Sequence, residues 1–128
     1  MNPSNYILWL RFKISILSPH VVYSFIFGSV AKNSSSPSDC DLMIVTSLSP
    51  KNEEWKNIRK KKDLLCKLFI NKFSLPLSAM MLTVEEYSEE IPFLKRILKR
   101  PRIDIFGGDF ETPNKLNKDR LLSRRIGF

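Results

Sequence analysis

The stretch from Val21 to Thr46 constrains this chain most, because two short apolar runs there enclose a Gly-Ser turn and a pair of spaced carboxylates. Residues 21–27 are rich in Val, Ile, Tyr and Phe and stop at Gly28-Ser29; residues 42–46, Leu-Met-Ile-Val-Thr, begin directly after Ser38-Asp39-Cys40-Asp41. Runs of this composition bounded by Gly, Ser and Asp read as buried strands. A glycine at a strand end lets the backbone approach a ligand. A Gly-Ser turn with small residues after it can offer backbone N–H groups and the Ser29 hydroxyl to phosphate oxygens, more so where a helix starts there. The two-residue period of a strand sends Asp39 and Asp41 out on one face while Cys40 points away. Two such acids can share a divalent cation, and Mg²⁺ prefers a few carboxylates plus substrate phosphate oxygens to a complete protein cage. Each half of the pattern has a bland reading: Gly-Ser follows many strands, and Asp-x-Asp often marks a solvated loop end. It is their combination, with nine residues between Ser29 and Asp39, that predicts a phosphate site facing a metal site. Gly28, Ser29 and Ser38 are the predicted nucleotide-binding residues, and Asp39 and Asp41 the predicted metal-binding and catalytic ones.

On these residues the chain resembles the nucleotidyltransferase superfamily related to DNA polymerase beta, and within it the minimal nucleotidyltransferases. In that family a Gly-Ser turn holds the terminal phosphates of a nucleoside triphosphate and an Asp-x-Asp pair holds Mg²⁺. The resemblance continues through residues 76–86 and 92–98 and spans roughly residues 20 to 106. It implies an α/β (α+β) fold, a mixed sheet of four or five strands with helices packed on it, and Mg²⁺ as cofactor with an NTP, ATP first among them, as substrate. One departure bears on the chemistry. The family carries a third carboxylate on the strand after the long helix, where it completes the metal site and accepts the proton of the attacking hydroxyl. The matching strand here, residues 77–82, places Ser78 at that position and contains no acid. Loss of a positioned general base typically costs on the order of 10²- to 10⁴-fold in rate. Asp104 could substitute if its strand lies beside the site, which its distance along the chain does not assure. Asn33 stands where members often have glycine, and asparagine tolerates the left-handed backbone.

With 128 residues and 43% hydrophobic content the chain can bury one core and has no room for a second full domain. Residues 1–108 are expected to form the domain, and residues 109–128 a basic tail that is flexible or holds a short helix near 118–125. The longest apolar stretch is too short to span a bilayer and the N-terminus lacks signal-peptide order, so a cytoplasmic protein with no membrane partner is expected. Cys40 and Cys66 lack metal-ligand spacing and are expected as buried free thiols. His20, the single histidine, precedes the first strand and is expected to cap or pack.

Helical spacing of apolar residues predicts a helix over residues 6–17 ending before Ser18-Pro19. Ser49-Pro50 reads as the cap and first position of a long helix reaching Lys72, with Trp55, Ile58, Leu65, Leu68 and Phe69 as its inward stripe. Thr83-Val84-Glu85-Glu86 matches a capping box, Pro92 suits the start of another helix, and residues 102–106 read as a last strand. The formal net charge of +8 is uneven: residues 51–72 hold eight Lys/Arg against three Asp/Glu, and residues 94–128 ten against four. Glu85, Glu86, Glu89 and Glu90 form an acidic stretch between them. Such asymmetry suits a polyanion such as RNA, although a basic helix face such as Arg59-Lys60-Lys61-Lys62 is more often only solvated.

The function expected is Mg²⁺-dependent binding of an NTP and transfer of its NMP to a hydroxyl of a protein or RNA acceptor. The chain is too short to build its own acceptor wall, so a dimer mate or a partner protein is expected to present the acceptor. Two other classes compete. One is a weakly catalytic or non-catalytic nucleotide-binding regulator of the toxin-antitoxin type, since some minimal nucleotidyltransferases act beside a toxin. The other is a basic RNA-binding module that retains the fold without using the site, for which salt-dependent RNA binding indifferent to NTP would be the mark.

Overall fold

A computed structural model describes residues 3–17, 19–33, 36–89 and 91–107; the expected tail at 109–128 and the acidic Glu90 lie outside them. Four strands form a mixed sheet in the order β3-β2-β1-β4, with β1 at Val21–Phe27, β2 at Cys40–Thr46, β3 at Leu77–Thr83 and β4 at Ile103–Phe106. β1 runs antiparallel to both β2 and β4, and β2 runs parallel to β3. The central strands β1 and β2 are apolar on both faces because both faces are covered, whereas β3, at an edge, alternates buried and exposed positions.

One face packs on α1 (Pro3–Lys13), the 3-10 turn Ile14–Leu17 that extends it, and α3 (Glu54–Phe73). Leu10, Leu17, Ile26, Leu42, Ile44, Leu65 and Phe69 meet there. Tyr6 and Trp9 of α1 set their rings against Phe69 and Phe73 of α3, with Tyr6 edge-on to Phe73 at 4.9 Å between centroids. The other face carries Tyr23, Phe25, Met43, Val45 and Leu82 under α4 (Val84–Ser88) and α5 (Pro92–Leu98), which supply Tyr87, Leu94 and Ile97. Buried hydroxyls on the central strands are satisfied locally. Ser24 Oγ donates to the Met43 carbonyl at 2.7 Å, and Thr46 Oγ1 donates to the His20 carbonyl at 2.8 Å.

Several expectations hold in detail. Thr83 and Glu86 form a reciprocal capping box, each hydrogen bond 3.0 Å long. Pro92 opens α5, Asn33 adopts φ 59°, and both cysteines are free, Cys40 buried as expected and Cys66 only partly so. The start of the long helix differs. Ser49 Oγ accepts from the Lys51 N–H and Asn52 Oδ1 from the Glu54 N–H, so these side chains stabilise a turn over residues 49–53 and α3 begins at Glu54. Side chains that bond their own backbone two residues on compete with helix in this way. The first helix likewise runs only to Lys13 as α-helix before tightening.

Candidate functional site

The turn between β1 and β2 is held by Gly28. Its φ of +73° is a left-handed value, and a Cβ placed on it would collide with Asp41 Oδ2. Only glycine meets both conditions, so the close approach anticipated for Gly28 is taken up by the carboxylate of Asp41. The short helix α2 (Gly28–Ala31) starts at this point, with Phe27 extended before it. Ser29 is half-buried, and its Oγ donates to the Asp39 carbonyl at 3.4 Å, tying the turn to the acidic segment.

Asp41 opens β2 opposite Phe27. Its β2 neighbours Cys40 and Leu42 belong to the core under α1 and α3, and Met43 belongs to the opposite core, so Asp41 faces the α5 side of the sheet. Burial and then the nearby Asp39 raise the Asp41 carboxyl above its ordinary value, because both disfavour the charged form. The Cys40 thiol, fully buried on the other face, is pushed up to about 12 by burial, then by Asp41 and Asp39. No ion pair reaches Asp39 or Asp41 among the described residues. Two adjacent, unneutralised carboxylates are a donor set that fits a hard divalent cation whose remaining ligands come from phosphate or water. No cluster of three or more His, Cys, Asp or Glu suited to a metal occurs among the described residues.

Ser78 lies directly opposite Asp41 in the parallel β2–β3 ladder and faces the same side, since its neighbours Leu77 and Ala79 pack in the other core. Asp104 shares that face but stands apart. It is paired with Phe25 across β1, and its Oδ1 accepts a 2.6 Å hydrogen bond from the Tyr23 hydroxyl. Two strand spacings and two residues separate it from Asp41, roughly 12 Å, too far to share one ion. Burial and that hydrogen bond push the Tyr23 hydroxyl well above its ordinary value.

Gly28 and Asp41 open onto a cavity of about 230 Å³, which Lys32, Arg96 and Arg100 also line, with Phe27, Phe93 and Ile97 as its apolar surface. Of the predicted residues, Gly28 and Asp41 line this cavity, Ser29 and Asp39 are tied to each other in the connection before β2 and are not part of its lining, and Ser38 is exposed there. The cations of α5 carried no signal in the one-dimensional pattern beyond an i, i+3, i+4, i+7 face comprising residues 93, 96, 97 and 100.

No family model and no curated protein matches the chain significantly. Among solved structures, a toxin-antitoxin complex with AMP-PNP is similar at a TM-score of 0.54 and 14% identity, covering 98% of this chain and 92% of that one. A candidate nucleotidyltransferase from Sulfolobus solfataricus is similar at 0.48 and 15%, over 80% and 81% of the two chains. The complex of tri-AMPylated Shewanella oneidensis HEPN toxin with MNT antitoxin gives 0.48 and 12%, over 93% and 91%. The chain shares the fold of a protein of that toxin-antitoxin complex with AMP-PNP, and at this identity the likeness is one of fold alone.

Proposed function

We propose that this protein binds an NTP together with Mg²⁺ at Gly28, Ser29, Asp39 and Asp41 and transfers the NMP to a hydroxyl of a macromolecular acceptor. The observation that carries the reading is the packing of the Asp41 carboxylate against Gly28, beside a second carboxylate and with no cation ion-paired to either among the described residues. Mg²⁺ bound there would neutralise charge on the phosphates and on the departing pyrophosphate. In this reading Ser29 and the Gly28 backbone orient the phosphates, and Asp39, directly before β2, joins Asp41 at the metal, with Ser38 exposed in the same connection. The residues thus contribute positioning and electrostatics in place of covalent chemistry.

Ser78 in register with Asp41 favours a second reading, in which the same site binds nucleotide and turns it over slowly or not at all while the protein regulates a partner. The likeness in fold to a protein of a toxin-antitoxin complex with AMP-PNP supports a partner protein and an adenine nucleotide as the first to try. Titration calorimetry of ATP with Mg²⁺ tests both readings. Wild type should bind, and an Asp39→Ala/Asp41→Ala variant should bind at least about ten-fold more weakly, roughly 1.4 kcal/mol; equal affinities would remove the assignment. Radiolabelled ATP then separates transfer from binding alone.

A further inference from the structure

The cavity beside Asp41 has a second wall with an unusual composition. Residues 93, 96, 97 and 100 fall on one face of α5 and the turn after it. Ile97 is buried in the core beneath the sheet, while Phe93 remains 37% exposed at the cavity and Arg96 and Arg100 flank it. Lys32 reaches the same cavity from the turn after α2. Three cations therefore line one small space whose only lining acid among the described residues is Asp41, and none of the three is ion-paired among those residues. If the arginines served only to cover apolar surface with their stems, they would not need to share a concavity with a third cation, where the one carboxylate of Asp41 offsets only part of the mutual repulsion of three charges. An anion entering the cavity removes that repulsion. Two carboxylates and a triphosphate also bring more negative charge to the site than one divalent ion neutralises, and Lys32, Arg96 and Arg100 would offset most of the remainder.

We propose that Phe93, Arg96 and Arg100 form the second wall of the nucleotide site, in which Arg96 and Arg100, with Lys32, hold phosphate oxygens and Phe93 offers its ring to the base. This rests on the reading of Asp39 and Asp41 given above. Arginine suits the role because its planar fork bonds phosphate through two donors at once, and an exposed aromatic ring gives a base a stacking surface indifferent to its edge. The ligand is thereby a nucleoside polyphosphate with weak discrimination among bases.

Calorimetry on the full chain with ATP and with tripolyphosphate, each with Mg²⁺, separates the parts. The Arg96→Gln/Arg100→Gln variant is expected to bind both ligands at least about ten-fold more weakly and with a shallower salt dependence. Phe93→Ala is expected to weaken ATP by about five-fold or more and leave tripolyphosphate unchanged. All of these side chains are exposed enough that circular dichroism melts should match wild type. An arginine variant that binds both ligands as wild type does, while Asp39→Ala/Asp41→Ala does not bind, overturns the second wall and leaves the nucleotide reading intact. Loss confined to ATP in the arginine variant would assign the arginines to the nucleoside and overturn the phosphate role. Failure of wild type to bind either ligand overturns both.

Discussion

Gly28 and Asp41 share one small volume, and each explains the other. Asp41 occupies the space that a side chain at residue 28 would need, and the left-handed φ of Gly28 turns the chain so that α2 starts beside the carboxylate. Gly28→Ala is expected to lose about 1–2 kcal/mol from the backbone alone and to displace Asp41, which a urea titration paired with nucleotide binding would detect as a joint loss. Asp41 itself works against the stability of the empty domain. Its carboxyl is raised above 3.8 by burial and by Asp39, so the folded state holds its proton more tightly than the unfolded chain does. That contribution to stability is greatest below the ordinary value and is lost as pH rises through the raised one. Asp41→Asn should therefore melt higher than wild type at neutral pH without added Mg²⁺, and the difference should vanish on acidification towards the ordinary carboxyl value. Melting curves at several pH values check the sign. Mg²⁺ should raise the melting temperature of wild type and not of the variant.

Among the elements, the parallel pairing of β2 with β3 matters most, because it sets which residue faces Asp41. Asp41 pairs with Ser78, a register begun by the Cys40 N–H bonding the Pro76 carbonyl at 2.9 Å. A slip of one residue would turn Ala79 to that face instead. Ser78→Asp would place a third carboxylate beside the pair, at an exposed position that accommodates it. The expected outcome is twofold: a lower melting temperature without metal, from added like charge, and NMP transfer faster by about 10²-fold or more if the missing base limits the rate. Incorporation of radiolabel from ATP into the partner or RNA fraction gives the second readout. An Asp104→Asn variant should leave transfer unaltered, since β1 lies between Asp104 and the pair.

Across the whole molecule, helices on both faces fix the sheet, and the site sits at one end of it where β1 finishes and β2 begins. The α1–α3 layer is held by the aromatic group of Tyr6, Trp9, Phe69 and Phe73. Phe69 is fully buried at its centre, so Phe69→Ala should cost about 3–5 kcal/mol, read as a shift in the urea midpoint. The basic run Arg59–Lys62 lies on the outer side of α3, exposed except for Lys62, which pairs loosely with Asp63 at 3.6 Å. A partly exposed pair of this kind adds little to stability. No helix among the described residues is long and apolar enough to cross a membrane.

The strands, the order of helices and the Gly28-Ser29 and Asp39-Asp41 motifs were legible in the sequence because apolar periodicity, glycine and capping residues act over a few neighbouring positions. Thr83 and Glu86 show this directly: a four-residue pattern specified a hydrogen-bonded box and the structure contains it. The start of α3 differs from the expected Ser49-Pro50 for the same local reason, since Ser49 and Asn52 accept from N–H groups two residues on and hold a turn there until the helix begins at Glu54. What the pattern could not settle is distance across the fold. Whether Asp104 could replace the acid absent at Ser78 depended on strand order, and β4 joined the sheet on the far side of β1. The meeting of Lys32, Arg96 and Arg100 around Asp41 likewise comes from α5 folding under the sheet after some sixty residues of intervening chain. Local propensity chose the elements, and burial of two apolar faces at once decided which charges came to lie together.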